Sequence, residues 1–387
     1  MARFTLPRDL YHGKGSLEAL KTFQGKKAMV CVGGGSMKKF GFLDKAVSYL
    51  KEAGMEVQLF EGIEPDPSVE TVMKGAQAML EFEPDWIVAM GGGSPIDAAK
   101  AMWIKYEYPE ITFEEMCKVF GIPALRKKAH FCAISSTSGT ATEVTAFSII
   151  TDYAKGIKYP IADFEITPDV AIVDPDLAET MPKKLVAHTG MDAMTHAIEA
   201  YVSTNTTPMT DACAEQSIRL VAKYLRKAVA NGKDMEAREG MAYAQYLAGM
   251  AFNNAGLGYV HAMAHQLGGF YSLPHGECNA ILLPHVESFN LISRLDRFVR
   301  IAQMMGECTD GLSERAAAEL AISAIKTLSK DVGIPTTITE LAARYVKAID
   351  PRDIPAMVGH AQKDTCAATN PRTMSLEIIS QLYKDVF

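Results

Sequence analysis

The chain has 387 residues, of which 48% are hydrophobic, and its formal net charge is −7. A chain of this length favours two domains, and its acidic balance argues against nucleic acid or an acidic membrane surface as a partner. No apolar run is long enough to span a membrane, and the start of the chain lacks the apolar core of a secretory signal. The seven cysteines form no Cys-x-x-Cys pair, so we expect a cytoplasmic protein with reduced thiols.

The first half of the chain alternates short apolar runs with amphipathic helical segments. Strands are predicted at residues 27–33, 57–62, 86–90, 130–137 and 170–175. Predicted helices begin after Ser36, at about Ser68 and at Pro95. Strands separated by helices of about a dozen residues are typical of a mostly parallel, Rossmann-like sheet with helices on both faces.

The second half of the chain has a different pattern. From about residue 177 onward strand signals are absent, and Ala, Met and Leu recur with helical periodicity. Predicted breaks between these helices lie at Pro208, Gly232, Gly258, Pro274 and Pro335. We therefore predict an α/β domain over residues 1–177, followed by an all-α domain over residues 178–387.

Two glycine-rich segments each follow a predicted strand and open a predicted helix. They are GGGS at 33–36 and GGGSPID at 91–97. In the second, Ser94 is placed to cap the helix and Pro95 to take the first helical position. Glycine lets the backbone approach a phosphate, and the free N–H groups at a helix start attract the anion. Neither segment has the G-x-G-x-x-G spacing, and one alone fits a plain tight turn equally well, but two in one sheet favour a dinucleotide.

A third segment, SSTSGT at 135–140, places several hydroxyls directly after a predicted strand. Hydroxyls in this position are suited to bind phosphate or ribose oxygens. From the three segments together we predict cofactor contacts at Gly34, Gly35, Ser36, Gly92, Ser136 and Thr140. The predicted α/β domain is therefore expected to bind a dinucleotide.

The helical half contains a distinctive set of metal-ligating residue types. Asp192 and His196 are four positions apart, as are His261 and His265, so each pair lies on one helix face. With His275, the set holds four of the nine histidines of the chain. Five residues at these spacings favour a divalent metal site on facing helices over five separately buried, hydrogen-bonded side chains. Spacing alone does not separate the ligands from a histidine beside them.

A mixed Asp/His set suits zinc or ferrous iron. A metal held there would polarise a carbonyl, or lower the pKa of a bound hydroxyl toward about 7. Combined with a dinucleotide fold, the set predicts redox chemistry on an alcohol or an aldehyde.

Long stretches of the chain resemble the iron-containing (group III) alcohol dehydrogenase family. The resemblance rests on GGGSPIDAAK, STSGTATEVT, ITPDVAIVDP, TGMDAMTHAIEAYVS and GLGYVHAMAHQLGGFYSLPHGECNAILLPH, and it covers essentially the whole chain. Within the family, GGGSMKKFG and DTCAATNPR are most similar to the NADPH-dependent butanol dehydrogenase branch. The resemblance implies a dehydroquinate synthase-like architecture, with an N-terminal dinucleotide domain and a C-terminal domain for metal and substrate.

The resemblance also implies individual roles in the site. It implies metal ligands at Asp192, His196, His261 and His275, and it makes His265 a catalytic residue beside nicotinamide and substrate rather than a ligand. It adds cofactor contacts at Gly93, Ser94, Asp97, Thr137, Ser138 and Lys158. It implies a substrate pocket lined by Phe147, Phe252 and Cys366. It assigns no role to His188 or His285, each of which more simply hydrogen-bonds a backbone carbonyl.

The first glycine turn departs from the NAD-preferring relatives, which carry an aspartate where this chain has Gly34. Without that carboxylate, a 2′-phosphate is not repelled, and Ser36 offers it a donor. Lys38 and Lys39 follow closely, although either is equally explained as a helix-surface charge. We predict NADP(H) in preference to NAD(H), with Fe²⁺ as the metal and Zn²⁺ as the alternative.

These observations together predict a metal-dependent NADP(H)-linked oxidoreductase. It would interconvert primary aliphatic alcohols and aldehydes by hydride transfer in a cleft between the domains, as a homodimer or larger homo-oligomer. Three alternatives stay open: an NAD(H)-linked alcohol or diol dehydrogenase, a dehydroquinate-synthase-like metal lyase, and a metal- and nucleotide-binding protein without catalysis. The lyase would require basic residues for a phosphorylated acid, and the sequence shows no basic cluster near His261 and His275.

Overall fold

The computed structural model describes residues 3–155 and 157–387. The chain divides into two compact units, Met1–Thr180 and Met181–Phe387. Among the described residues, no helix is both long enough and apolar enough to cross a membrane. The assignment of cofactor and metal to separate domains stays a prediction.

The first unit is built on a six-stranded sheet with strand order β1-β8-β5-β4-β2-β3, in which every neighbouring pair is parallel. A separate antiparallel hairpin is formed by β6 and β7. The strands are β1 Asp9–His12, β2 Lys27–Gly33, β3 Glu56–Ile63, β4 Trp86–Gly91, β5 His130–Ser135, β6 Phe147–Asp152, β7 Ile157–Ala162 and β8 Val170–Val173.

Helices cover both faces of the sheet. They are α1 Ser36–Lys39, α2 Phe42–Glu52, α3 Val69–Phe82, α4 Gly93–Glu107, α5 Phe113–Met116 and α6 Pro175–Ala178. Alternate residues of β2 belong to opposite cores: Met29 packs in the cluster with α3 and α4, and Val30 in the cluster with α2. This alternation explains why the central strands are apolar on both sides, as parallel sheets require.

The order of the strands reverses between β2 and β4. From β2 the chain passes to β3 at one edge of the sheet, and it then returns to place β4 on the other side of β2. Ligands of open α/β sheets bind outside the carboxyl ends of the strands at such a switch point. Both glycine-rich turns lie there.

The second unit is helical throughout its regular structure. Its α-helices are α7 Lys183–Val202, α8 Pro208–Ala230, α9 Met235–Ala255, α10 Tyr259–Tyr271, α11 His275–Asn290, α12 Leu295–Met304, α13 Glu314–Asp331, α14 Ile338–Arg344, α15 Ile354–Lys363 and α16 Leu376–Val386. All five predicted breaks fall between helices or at the first residue of one. Pro208 is the first residue of α8, where its missing N–H costs nothing.

The predicted fold class, a mostly parallel α/β unit followed by an all-α unit, is confirmed. The sequence analysis missed β1 and the β6–β7 hairpin. β1 is a four-residue edge strand with largely exposed residues, and β7 carries Lys158 and Pro160, so neither has the apolar pattern of a central strand. The helix predicted after Ser36 is two helices, because Gly41 takes a left-handed conformation with φ of 77°.

Candidate functional site

The two glycine-rich turns are neighbours at the carboxyl edge of the sheet. β2 and β4 pair in parallel with Val32 opposite Met90, so the turns at Gly33 and Gly91 leave the sheet side by side. β5 pairs with β4 on its other side, with Ser135 opposite Gly91. The hydroxyl-rich segment therefore begins beside the second turn.

Glycine is required in the second turn by close approach. Gly91 has a φ of 146°, and a Cβ there would lie 2.6 Å from Pro95 Cγ. A Cβ on Gly92 would lie 3.2 Å from Thr137 Cγ2, and one on Gly93 would lie 3.2 Å from Thr140 Cγ2. The turn and the hydroxyl-rich segment thus pack directly against each other, with no space for larger side chains.

The predicted helix cap at Ser94 was wrong. Helix α4 begins at Gly93 with Gly92 as its N-cap, and no side chain among the described residues caps it. The sharp turn at Gly91 brings the chain into helical geometry before Ser94, whose hydroxyl instead accepts the N–H of Asp66 at 3.3 Å. The first N–H groups of α4 therefore lack a side-chain acceptor, which suits an anionic ligand.

Two buried hydroxyls beside this turn are unsatisfied. Thr137 Oγ1 and Thr140 Oγ1 have no hydrogen-bond partner among the described residues. An unpaired buried hydroxyl costs free energy, and beside a glycine-rich turn it is available to a ligand with acceptor oxygens. Ser136 and Ser138 are also buried, and the Ser136 N–H donates to Gly91 O at 2.8 Å. The donors fit a bound phosphate group.

Asp97 and a buried lysine stabilise the loop that follows. Asp97 accepts hydrogen bonds from the Thr142 hydroxyl at 2.5 Å and the Ile149 N–H at 3.2 Å. Lys100 is fully buried, and its ammonium donates to the carbonyls of Thr142 and Thr145 at 2.7 Å each. Burial lowers the pKa of Lys100 to about 8. A cofactor contact of Asp97 stays a prediction, since its carboxylate already has these partners.

Lys158 lies on β7 and forms an ion pair with Asp66, with Nζ and Oδ1 2.7 Å apart. Asp66 is the residue whose N–H bonds Ser94, so the ion pair lies close to the second turn. A phosphate would have to compete with Asp66 for this ammonium group.

The first turn carries fewer contacts. Gly35 is left-handed with φ of 78° and caps α1, which begins at Ser36. A Cβ on Gly34 or Gly35 would meet no atom within 4 Å, so open space adjoins this turn. Lys38, which could attract a 2′-phosphate, pairs instead with Glu61 at 3.0 Å.

In the second unit, three of the four predicted metal ligands converge. Asp192 on α7, His261 on α10 and His275 at the start of α11 each offer one ligand atom, and these atoms lie within 4.8 Å of one another. The ring of His196, one turn after Asp192, stacks on that of His261 with 4.5 Å between centroids. His265 lies outside the converging set of ligand atoms.

A close crossing of two helices brings these residues together. A Cβ on Gly276 would lie 2.3 Å from the backbone oxygen of His188, so α11 touches the backbone of α7 at this point. Because Gly276 follows His275, the contact holds His275 Nε2 3.7 Å from Asp192 Oδ1.

Asn279 shows that the three ligand atoms face one point. Its amide nitrogen lies 2.7 Å from Asp192 Oδ1, 3.1 Å from His261 Nε2 and 3.0 Å from His275 Nε2. An amide N–H₂ donates only, and its two hydrogens serve two acceptors at a time, so the three atoms surround one point that a single donor shares. Lone pairs of one carboxylate and two imidazoles that converge in this way fit a divalent cation.

The pKa values in this cluster agree with ligand roles. Burial acts to raise the pKa of Asp192, but His196, His275 and the Asn279 hydrogen bond outweigh it and leave the pKa below its ordinary value. Burial lowers the pKa of His261 well below its ordinary value. An ionised carboxylate and a neutral imidazole are the forms that bind a metal.

A buried glutamate orients His261. Glu199 Oε2 contacts His261 Nδ1 closely, and Glu199 Oε1 accepts the N–H of Val260 at 2.8 Å. Such a carboxylate favours the imidazole tautomer that leaves Nε2 available to a metal.

His265 has a carboxylate partner of its own. Its Nδ1 lies 2.8 Å from Asp364 Oδ2, and its ring stacks on that of His275 with 5.4 Å between centroids. Cys366 contributes its N–H, which donates to Asp364 Oδ1 at 2.9 Å.

The remaining predicted residues are distributed over both units. Phe252 stacks on His196 with 4.3 Å between ring centroids, and Cys366 is half-buried beside Asp364. Phe147 belongs to the first unit, where its carbonyl accepts from Lys100 at 2.9 Å. Burial lowers the pKa of His188 and that of His285, and neither joins the converging set.

Sequence reasoning missed several residues of the site. Glu199 lies on the same helix stripe as Asp192 and His196, and Asn279 lies one turn after His275, so helical spacing could have indicated both. The contact of Asp364 with His265 and the contacts of Lys100 gave no local signal, because the partners lie 99 and at least 42 positions away in the chain.

Comparison with known proteins identifies the class. Residues 7–175 match the family described as iron-containing alcohol dehydrogenase, and residues 186–387 match the C-terminal part of the Fe-containing alcohol dehydrogenase family. The chain belongs to the iron-containing alcohol dehydrogenase family, as the sequence motifs predicted.

Individual relatives are similar over their full length. The NADPH-dependent butanol dehydrogenase of Clostridium saccharobutylicum is 56% identical, over 100% of this chain and 98% of its own length. The NAD-dependent methanol dehydrogenase of Bacillus methanolicus is 41% identical over 100% of both chains. A crystal structure of a 1,3-propanediol oxidoreductase superposes with a TM-score of 0.94, at 42% identity and 100% coverage of both chains.

Proposed function

We propose that the protein is a metal-dependent, NADP(H)-linked dehydrogenase that interconverts short primary alcohols and aldehydes. The observation that carries the proposal is the convergence of Asp192, His261 and His275 on one point in a member of this family. The relative with 56% identity is a butanol dehydrogenase that depends on NADPH. We propose Fe²⁺ as the native metal, held by Asp192, His196, His261 and His275.

The dinucleotide and the metal that the chain would bind would each supply one part of the chemistry. When bound, the nicotinamide exchanges a hydride with the carbonyl carbon, and the metal polarises the carbonyl oxygen. The residues of the chain bind and orient these groups. Gly92, Gly93, Thr137 and Thr140 would hold the phosphates, and Glu199 would keep His261 Nε2 directed at the metal.

We assign proton transfer to His265. Its Nδ1 lies 2.8 Å from Asp364 Oδ2, which leaves Nε2 as the nitrogen that would exchange a proton with the substrate oxygen. Phe252 would form an apolar wall beside His196, which favours an aliphatic substrate over a polyol.

The choice of cofactor has a second candidate. Glu61 pairs with Lys38 near the first turn, which reduces the positive charge available to a 2′-phosphate. One relative at 41% identity is NAD-dependent. NAD(H) is therefore the alternative cofactor for the same reaction.

Anaerobic initial rates of butanal reduction test the proposal. Iron-loaded and zinc-loaded protein would each be assayed with NADPH and with NADH. We expect the fastest turnover with iron and NADPH, and near-background rates for His261→Ala. His285→Ala, outside the cluster, is the matched control and should keep the wild-type rate.

Each contrary result would overturn a different part of the proposed function. Faster turnover with NADH would replace the cofactor but keep the reaction. A wild-type rate in His261→Ala would exclude a catalytic metal at this site. No oxidation of either cofactor across short and long aldehydes would favour a metal lyase or a binding protein.

A further inference from the structure

One contact in the second unit to which no role has been assigned joins His265 on α10 to Asp364, which directly follows α15. Asp364 Oδ2 lies 2.8 Å from His265 Nδ1. Asp364 Oδ1 accepts the N–H of Cys366 at 2.9 Å as the cap of the 3₁₀ helix Thr365–Thr369. Each carboxylate oxygen therefore has its own hydrogen-bond partner, and the two contacts fix the plane of the carboxylate.

The contact determines which nitrogen of His265 carries a proton. Burial acts to raise the pKa of Asp364. The hydrogen bond and the charge interaction with His265, together with the hydrogen bonds with Cys366, outweigh burial and hold the pKa below its ordinary value. An ionised carboxylate can only accept, so His265 Nδ1 must be the donor. The Asp364 side chain is 15% exposed, so water competes weakly for it, whereas the His265 side chain is 33% exposed.

We propose that Asp364 is a positioning residue, which holds His265 Nδ1–H and thereby presents His265 Nε2 to the substrate oxygen. This inference rests on the proposed function. In aldehyde reduction the Nε2–H bond breaks, its electron pair stays on the imidazole, and the proton forms the O–H bond of the alcohol. Water then returns a proton to Nε2. Asp364 itself transfers nothing.

A capping role alone would not need this arrangement. A 3₁₀-helix cap requires one carboxylate oxygen, and Asp364 Oδ1 fills that requirement through Cys366. Oδ2 is left for the imidazole of a residue 99 positions away. Removal of Asp364 should therefore affect His265 in addition to the local turn.

A double-mutant cycle separates positioning from structure. Asp364→Asn keeps the size and a capping oxygen, but it removes the charge and permits the wrong imidazole tautomer. We expect kcat for butanal reduction to fall roughly 10- to 100-fold, which is part of the 10²–10⁴-fold that a general acid contributes, with little change in KM. In a His265→Ala background the same change should cost less than about 2-fold, because the residue that it positions is gone.

Further measurements on single variants complete the test. Bound metal and melting temperature should equal those of the wild type in Asp364→Asn, and Asp364→Glu should recover part of kcat. Asp353→Asn is the matched control, because Asp353 also accepts from a side chain of α10, the Tyr271 hydroxyl at 2.9 Å. It should leave kcat unchanged.

Several outcomes would overturn the inference. The inference would be overturned if the losses of kcat from Asp364→Asn and His265→Ala were additive in the double mutant. It would also be overturned by a wild-type kcat, or by loss of bound metal, in Asp364→Asn. Because His265, Asp364 and Cys366 offer ligand atoms within 4.8 Å of one another, a second bound zinc that Asp364→Asn removes would also overturn it. Absence of turnover in the wild type would instead contradict the proposed function and this inference with it.

Discussion

Two threonine hydroxyls, Thr137 Oγ1 and Thr140 Oγ1, are buried beside Gly92 and Gly93 without a hydrogen-bond partner among the residues that the structure describes. A group that is unsatisfied in the free protein and paired in a complex weakens folding and strengthens binding. This contrast gives a test in which stability and affinity move in opposite directions.

We expect Thr137→Val to leave the free energy of unfolding unchanged or to raise it by about 1 kcal/mol, while the Kd for NADPH rises roughly 5- to 10-fold. Urea unfolding and fluorescence titration measure the two quantities. Thr167→Val is the matched control, because Thr167 Oγ1 is also buried and unpaired among the described residues but lies away from the turn. A Kd for NADPH in Thr137→Val equal to that of the wild type would exclude this hydroxyl from the cofactor site.

The charge beside the first turn gives a second prediction at the scale of single residues. Glu61 neutralises Lys38 through an exposed ion pair at 3.0 Å. We expect Glu61→Gln to raise the NADPH-over-NADH ratio of kcat/KM by a few-fold, because exposed pairs contribute about 0.2–1 kcal/mol. Glu52→Gln, which breaks the exposed pair with Lys21, is the control. An unchanged ratio would place the 2′-phosphate away from Lys38.

At the scale of elements, the proposed metal cluster depends on how closely α11 approaches α7. A Cβ on Gly276 would lie 2.3 Å from His188 O, which is backbone and cannot rotate away. We expect Gly276→Ala to push the helices apart, weaken metal binding and destabilise the protein by about 1–3 kcal/mol.

Metal titration followed by urea unfolding checks this prediction. Gly359→Ala in α15 is the control, because a Cβ there meets no atom within 4 Å and alanine favours a helix. The crossing would be irrelevant to the site if Gly276→Ala retained wild-type metal affinity.

A second prediction at this scale concerns Lys100, which joins α4 to the loop between β5 and β6. Its pKa is lowered to about 8 by burial, against 10.5 for an ordinary lysine. Between these values the unfolded chain binds more protons than the folded protein, so this group makes stability rise with pH.

We expect the free energy of unfolding of the wild type, relative to that of Lys100→Met, to increase from pH 7.5 to pH 10. Below about pH 8 the charged lysine carries its full burial cost, and that cost is relieved as the folded protein loses the proton. Urea unfolding at both pH values measures the difference. A pH-independent difference would mean that Lys100 titrates as in the unfolded chain.

At the scale of the whole molecule, the residues proposed to bind the dinucleotide and those proposed to bind the metal belong to different compact units. A ligand that binds only the folded chain stabilises it by about 2.7 kcal/mol at 100 times its Kd. We expect NADPH and Fe²⁺ each to raise the melting temperature under anaerobic conditions. His261→Ala should abolish the increment from iron and keep that from NADPH, and Thr137→Val should weaken only the latter. Loss of both increments in either variant would contradict two separate sites.

Local sequence patterns determined the elements and the residue types of the site. Short apolar runs predicted the central strands, helical periodicity predicted the helices, and spacing with the family motifs predicted the metal residues, because these features lie within single elements. The same patterns missed the exposed edge strand Asp9–His12 and misplaced the start of Gly93–Glu107, where a close turn overrides capping preference.

Only the tertiary structure decided which side chains meet. Spacing alone treats His261 and His265 alike, since both lie on one face of Tyr259–Tyr271. In the folded protein His261 lies with Asp192, His275 and Glu199. His265 instead contacts Asp364. The physical reason is that these partners come from other helices, whose crossing is set by close packing such as that at Gly276, and no local pattern encodes a contact between segments so distant in the chain.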